Sequence, residues 1–209
     1  MANLAQRERR ALVDELIRVG PDAPTLCEGW RASDLAAHLV IRERRPDAAV
    51  GLVLPPLAGH MERVRCAARD RGSWAQLVER VRTGPPFPLR LGVVDQPMNT
   101  AEYFIHHEDL RRAQPDSEPR ALDADLEAAL WARVRLMARG LRRSSPEPLE
   151  LVAPGSGAVT AKEGAPAVTV TGPPGELLLV VSGRQASARV AWAGDPAAID
   201  AVRTAKFGI

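Results

Sequence analysis

Residues 99–110 read NTAEYFIHHEDL, and this segment carries more information about the architecture than any other part of the chain. Glu102 and His106 are four residues apart, so a helix places them on one face about one turn apart, and Asp109 stays close to that face. A carboxylate and an imidazole in this arrangement can bind one divalent metal ion when another part of the chain supplies more ligands. We expect His38 to be that supplier. The pattern therefore predicts a metal site inside a helix bundle.

Glu102 also has a purely structural interpretation. Asn99 can cap the helix, and Glu102, three residues later, can complete a capping box. The adjacent His106 and His107 point about 100° apart on a helix, so only one of them can share a site with Glu102. The spacing selects His106. We expect His107 either to be partly exposed or to contact a ligand residue without binding the metal itself.

The three residues together favour a metal over their separate interpretations. His38 alone is more typical of a hydrogen-bonded core histidine than of a ligand. Combined with Glu102 and His106, it gives two imidazoles and one carboxylate, a set that leaves coordination positions open and is typical of catalytic zinc. Asp109 can hydrogen-bond a ligand histidine or lie solvated on the helix surface.

Composition excludes several classes of protein. The chain has 209 residues, 45% of them apolar, and no apolar run approaches the length of a membrane span. Its charged N-terminus lacks the apolar core of a signal peptide, so we expect a cytoplasmic protein with no membrane partner. A net charge of +2 and an aromatic fraction of 4% argue against nucleic-acid binding. Cys27 and Cys66 are too few for a disulfide framework, and Cys27 is either a buried inert thiol or a reactive one at a helix entry.

Helices are expected over most of the first two thirds of the chain. The predicted helical segments cover 3–19, a helix capped by Ser33 and limited by Pro46, 58–70, 73–82, a helix that follows a loop ending at Pro97, and 122–141. Helices with short connections and no intervening strands predict an antiparallel bundle.

The sequence pattern changes from helical to β-like after Arg143. A linker over 144–148 is followed by short β-like runs at 149–152, 167–171 and 189–192. Residues 175–181 are ambiguous between strand and helix, and a last helix is expected from 195 to 206. The fold class is therefore mainly α, a four-helix bundle (1–143) followed by a small α+β C-terminal domain (149–209).

Two motifs resemble a known family. The segment TLCEGW at 25–30, followed by DLAAHL at 34–39, resembles the entry of the DinB-like metalloprotein superfamily. The segment EYFIHHEDL at 102–110 resembles the second metal motif of its mycothiol-dependent maleylpyruvate isomerase branch, an actinobacterial group. Together with the small C-terminal domain, the resemblance extends over nearly the whole chain.

The resemblance implies a four-helix bundle that holds a divalent metal, usually zinc, through His38, Glu102 and His106. It also implies a low-molecular-weight thiol cosubstrate such as mycothiol, with the metal lowering the thiol pKa to give a thiolate nucleophile. Thiolate addition to a cis double bond permits rotation, and elimination then returns the trans isomer. A basic residue of the small domain assists catalysis in the isomerase. Arg184 is the nearest match, and an exposed surface arginine is the alternative.

Three classes of function follow from these observations. The first is a thiol-dependent isomerase or transferase that acts on a small electrophilic substrate through a metal-bound thiolate. The second is a non-catalytic module that binds a metal and a small ligand. The third is a structural interaction protein without metal, which requires the three predicted ligands to be unrelated in space.

Overall fold

The computed structural model describes residues 4–49, 55–85, 92–165 and 167–208. The elements in chain order are α1 (Leu4–Val19), α2 (Ala32–Arg44), α3 (Pro46–Ala49), a 3-10 turn (Pro55–Leu57), α4 (Ala58–Asp70), α5 (Trp74–Thr83), α6 (Gly92–Arg111), α7 (Ala124–Ser144), β1 (Leu149–Ala153), β2 (Gly157–Lys162), β3 (Val168–Thr171), α8 (Pro174–Val181), β4 (Ala191–Ala193) and α9 (Pro196–Thr204). Contacts between Cα atoms divide the chain into two compact units, Met1–Glu118 and Pro119–Ile209.

The first unit is a helical bundle around one apolar core. α1 packs on α5 and α6, and α2 packs on α4 and α5. The core takes side chains from four of these helices, among them Leu12, Leu16, Leu35, Leu39, Leu77 and Leu110, all almost completely buried. Each such leucine stabilises the fold by about 1.5–3 kcal/mol relative to an exposed position. This core holds α2 and α6 so that His38 and His106 face each other.

The start of α2 differs from the prediction. The helix begins at Ala32, with Arg31 at the N-cap position, so Ser33 lies inside the first turn and the predicted serine cap is wrong. The reason is that the Asp34 carboxylate accepts a hydrogen bond from the backbone N–H of Arg31, at 3.0 Å. An acidic residue in the third helical position thus satisfies the end of the helix, as the side chain of a capping box does.

The start of α6 also differs. We predicted a loop as far as Pro97, but the helix begins at Gly92 and Pro97 lies within it. At the sixth position of the helix, a proline removes one backbone hydrogen bond and crowds the carbonyl four residues earlier, which disfavours a helix but does not prevent one. Because Asn99 is therefore an interior residue, it cannot cap the helix. This excludes the capping box as an explanation for Glu102.

The second unit is a four-stranded sheet with helices. The strand order is β2-β1-β3-β4, in which β1 and β3 are parallel and both outer pairs are antiparallel. The ambiguous segment 175–181 belongs to α8, whose eight residues are all buried. A helix that is apolar all round needs such an environment, and α8 packs on α7 and β1. β2 was not predicted. It is held by its ladder with β1.

The fold class is mainly α with an α+β C-terminal region, which confirms the prediction. α7 belongs to the C-terminal unit, where it packs on β2 and α8. The predicted folding domains are 1–143 and 149–209, so the predicted boundary lies later in the chain than the division between Glu118 and Pro119. These domains stay a prediction. Among the described helices, none has both the length and the apolar character needed to cross a membrane.

Candidate metal centre

His106 is the central residue of the predicted site because it has a carboxylate on each side. Its Nε2 atom lies 3.7 Å from Oε2 of Glu102, one turn earlier in α6. Its Nδ1 atom lies 3.0 Å from Oδ2 of Asp109, three residues later. The spacing of Glu102, His106 and Asp109 thus places all three on one side of the helix, as predicted from helical periodicity.

Asp109 is fully buried, with an exposed fraction of 0%. A buried carboxylate requires hydrogen-bond donors, since burying an unpaired charge is costly. The Cys27 thiol donates to Oδ2 of Asp109 at 3.3 Å, on the same oxygen that lies beside His106. Asp109 is therefore not solvated on the helix surface. It holds the Nδ1 side of His106.

His38 approaches His106 from α2. The two imidazole rings have their centroids 5.1 Å apart in an edge-to-face arrangement. Both side chains are buried, with exposed fractions of 6% and 8%. The Nδ1 atom of His38 is buried without a hydrogen-bond partner. A buried nitrogen in this state costs free energy unless something binds it, which is what a metal ligand provides.

The environment keeps His38 neutral. Burial is the largest influence and lowers the pKa of His38 well below its usual value, and the nearby His106, Arg42 and Arg65 lower it further, while Asp109 opposes them. A neutral imidazole has a free lone pair, and that form is the one that binds a metal.

Trp30 and Arg65 form a stacked pair of side chains beside His38. The ring of Trp30 lies against the His38 ring, with centroids 5.2 Å apart. The guanidinium of the buried Arg65 lies 4.8 Å from the centre of the Trp30 ring and is paired with the Asp34 carboxylate. Stacking and charge pairing of this kind restrict the ring orientation. The N-terminal turn of α2 therefore helps to position His38.

Glu102 is the more accessible member of the predicted set. Its side chain is 28% exposed, and Oε2 lies 3.7 Å from both Nε of Arg42 and Nε2 of His106. Arg42 also donates a hydrogen bond to Oδ1 of Asn99 at 2.6 Å. The Glu102 carboxylate therefore lies close to the candidate ligand His106 and to the guanidinium of Arg42 from α2.

His107 and Arg184 lie elsewhere in the structure. His107 is buried, with Nδ1 4.0 Å from Oε2 of Glu8 in α1, so the predicted partial exposure is wrong. The reason is that its face of α6 packs on α1. Arg184 lies in the second unit, directly after α8, and its guanidinium donates to the backbone carbonyl of Ser182. Its catalytic role stays a prediction.

Cys27 is the residue that sequence reasoning did not connect with this site. Within the described residues, ligand atoms of Cys27, His106 and Asp109 all lie within 4.8 Å of one another, a spacing compatible with one metal ion. The signal that could have pointed to Cys27 is its place in the TLCEGW segment, close to the start of α2. Spacing alone cannot connect it to a residue 82 positions away.

A cavity of about 570 Å³ lies at a different place in the first unit, between α1 and the end of α5. Its lining residues are Gln6, Arg9, Arg10, Val13, Asp14, Arg82, Thr83 and Pro85, and none of them belongs to the predicted site. The chemistry-bearing residues therefore do not coincide with this cavity.

Comparison with solved structures identifies proteins of similar fold. The crystal structure of a histidine-to-alanine mutant of the mycothiol-dependent maleylpyruvate isomerase has a TM-score of 0.63 and 18% identity, covering 91% of this chain and 90% of that one. The crystal structure of the mycothiol-dependent maleylpyruvate isomerase has a TM-score of 0.55 and 20% identity, with the same coverage. No family model and no curated protein matches the chain. The similarity establishes a shared fold over nearly the whole length.

Proposed function

We propose that this chain is a divalent-metal-dependent, thiol-dependent isomerase or transferase that acts on a small electrophilic substrate. The observation that carries the proposal is the pair of facing histidines, one with an unpartnered buried nitrogen and the other held between two carboxylates. Burying such a cluster of titratable side chains inside a helical bundle costs free energy, and clusters of this kind occur mainly at functional sites.

The donor types of the proposed set suit a divalent cation. His38, Glu102 and His106 would hold it, and Asp109 would keep the Nδ1–H of His106 hydrogen-bonded so that Nε2 is left for the metal. Two imidazoles and one carboxylate favour zinc and leave a position open for another ligand. When bound, the cation supplies a Lewis acid that favours the thiolate form of a coordinating thiol near neutral pH.

The chain's own residues supply positioning. Trp30 and Arg65 restrict the ring of His38, and Asp109 restricts that of His106. Glu102 is the most accessible of the three, so the open side of the centre lies toward this carboxylate and Arg42. A small anionic substrate that approaches from there can pair with the guanidinium of Arg42, the cation beside Glu102. We assign Arg42 a binding role on this basis.

The reaction class comes from the proteins of similar fold, which are mycothiol-dependent maleylpyruvate isomerases. A thiolate adds to one carbon of a conjugated cis double bond, and the electron pair moves toward the conjugated carbonyl. Rotation about the resulting single bond and expulsion of the same thiolate return the trans alkene, so no oxidant or reductant is consumed. Mycothiol is the proposed thiol, Arg184 a proposed assisting cation, and the cytoplasm the proposed location.

The test is a thiol-dependent assay with zinc-loaded protein, with maleylpyruvate as substrate and mycothiol as the thiol. We expect isomerisation that requires the thiol, and loss of about 100-fold or more of it in His106→Ala, since a removed ligand disables the metal centre. His60→Ala is the matched control, because His60 is an exposed histidine paired with Asp47. Full zinc binding without turnover of maleylpyruvate or other cis-configured conjugated acids would favour the non-catalytic binding module instead.

A further inference from the structure

A second set of potential ligand atoms lies on the Nδ1 side of His106, where the proposed function uses Asp109 only as a hydrogen-bond acceptor and does not use Cys27. Oδ2 of Asp109 lies 3.0 Å from Nδ1 of His106 and 3.3 Å from Sγ of Cys27. The three ligand atoms lie within 4.8 Å of one another. The set combines a thiol, an imidazole and a carboxylate.

The fold builds this cluster by docking the connector before α2 onto α6. The backbone N–H of Leu26 donates to the backbone carbonyl of Asp109 at 2.9 Å, which places Cys27 directly beside the Asp109 side chain. The hydroxyl of Thr25 accepts from the N–H of Cys27 at 3.2 Å and lies 2.9 Å from the Trp30 carbonyl, to which it donates. The Cys27 backbone is thus fixed at both ends of a short turn.

The geometry is close to that of a bound metal. Zinc bonds to sulfur, nitrogen and oxygen measure about 2.0–2.3 Å, which puts neighbouring ligand atoms of a tetrahedral ion roughly 3.3–3.7 Å apart. Two of the observed separations, 3.0 and 3.3 Å, need to open by a few tenths of an ångström, and the third, between Sγ of Cys27 and the His106 nitrogen, lies within 4.8 Å. A thiolate in the set favours thiophilic divalent cations, such as Zn²⁺, Cd²⁺ and Co²⁺, over Mg²⁺ or Ca²⁺.

We propose that Cys27, His106 and Asp109 form a second, thiolate-containing cation site on the Nδ1 side of His106. On binding, the Cys27 thiol releases its proton to solvent and a sulfur–metal bond forms. The His106 proton moves from Nδ1 to Nε2, so the imidazole stays neutral and Nδ1 becomes the ligand atom. With Nε2 protonated, His106 is no longer a ligand for the set that contains His38 and Glu102. The two sites are therefore mutually exclusive, and this inference does not depend on the proposed function.

The test is titration of the metal-free protein with Co²⁺ in the absence of any added thiol. A thiolate bound to cobalt produces a charge-transfer band in the near ultraviolet, which imidazole and carboxylate ligands do not produce. We expect this band in the wild type and in Cys66→Ser, and we expect it to be absent in Cys27→Ser. Cys66 is the matched control, because it is the chain's other cysteine and its thiol contacts Glu62 in α4.

Each outcome separates this site from the proposed function. Visible cobalt absorption without the ultraviolet band, or a band that persists in Cys27→Ser, overturns the second site and leaves the His38, Glu102 and His106 centre intact. Cobalt absorption in Cys27→Ser that disappears in His38→Ala would support that centre independently. Absence of any cobalt signal overturns the second site, and zinc analysis then decides the proposed function separately.

Discussion

His106 has a different partner on each ring nitrogen, and this asymmetry sets the chemistry available to the protein. Asp109, fully buried, accepts from the Nδ1 side, while Glu102 lies 3.7 Å from Nε2. A carboxylate that hydrogen-bonds one nitrogen of a histidine fixes the tautomer and the ring orientation. Nε2, which lies beside Glu102, is therefore the nitrogen left available to the predicted set of His38, Glu102 and His106.

Replacing Asp109 with Asn tests this positioning role. The amide keeps the shape of the side chain but loses the charge that orients His106, so we expect zinc affinity to fall about 10–100-fold. Competition against a chromophoric chelator measures this affinity. Asp125→Asn, on the exposed surface of α7, is the matched control and should bind zinc like the wild type. Equal affinity in Asp109→Asn would contradict the role assigned to this carboxylate.

Asp34 gives a prediction about acid stability. Burial raises the pKa of Asp34, but hydrogen bonds from the Arg31 backbone, Arg65 and Arg69 outweigh burial and hold the pKa below its usual value. The folded protein then binds fewer protons than the unfolded chain just below about pH 4, so the stability contributed by Asp34 is present above that pH and is lost as the pH falls. Asp34→Asn should cost about 3 kcal/mol at pH 7, and less at pH 3.

The measurement is the melting temperature of wild type and Asp34→Asn between pH 7 and pH 3. The gap between the two proteins should narrow as the pH falls. Asp200→Asn, an exposed replacement of the same kind in α9, should leave the melting temperature near that of the wild type throughout. A gap that stays constant down to pH 3 would show that Asp34 does not lose its charge-dependent contribution on acidification.

At the residue scale, the sequence predicts a contact when both partners share one element. Glu102, His106 and Asp109 meet because helical spacing brings them together, and this was predictable. Cys27 was missed because it lies in an irregular connector, whose path depends on tertiary hydrogen bonds such as that from Leu26 to Asp109. No periodicity describes such a path.

At the scale of elements, a buried polar network ties together the three helices around the site. Arg9 of α1 pairs with Glu43 of α2 at 2.9 Å, and the Tyr103 hydroxyl of α6 hydrogen-bonds both of them. The Arg9 guanidinium also lies 4.7 Å from the centre of the Tyr103 ring. Because Tyr103 follows Glu102 directly, this network holds the part of α6 that carries the candidate ligands.

Tyr103→Phe removes one hydroxyl from this network and leaves the ring in place. Two buried charged groups then lose a partner, so we expect the free energy of unfolding to fall by about 1–3 kcal/mol in urea denaturation. A double-mutant cycle with Glu43→Gln should show non-additive effects, as contacting residues do. Thr204→Val, which removes an exposed hydroxyl from α9, should change stability by less than about 0.5 kcal/mol. Additive effects in the cycle would rule out the network as a cooperative unit.

Elements with strong local signals were predictable, and elements defined by tertiary pairing were not. α5, predicted at 73–82, lies at Trp74–Thr83, and both ends carry local signals, since Ser73 and Gln76 form a capping box and Gly84 follows the helix. β2 was missed because its small residues, Gly157 to Lys162, form a strand only through the ladder with β1. α8 was ambiguous because it is buried on all sides and shows no amphipathic period.

At the scale of the whole molecule, the mainly-α class and its α+β C-terminal region follow from the sequence, because the helical pattern gives way to β-like runs after Arg143. The fold matches that of mycothiol-dependent maleylpyruvate isomerase structures at 18–20% identity. A fold can host many reactions, so the reaction has to be tested at the site itself. The proposed metal centre is the property on which every proposed activity depends.

Elemental analysis of zinc-loaded protein, wild type beside Glu102→Ala, His106→Ala and His60→Ala, tests that centre most directly. We predict about one equivalent of zinc in the wild type and in His60→Ala, and loss of most of it in His106→Ala, which removes the residue common to both sets of ligands. In Glu102→Ala we predict a lower zinc content, because only Cys27, His106 and Asp109 are left to bind the ion. Zinc content that is equal in all four proteins, or absent from all of them, would contradict a metal centre built on His106.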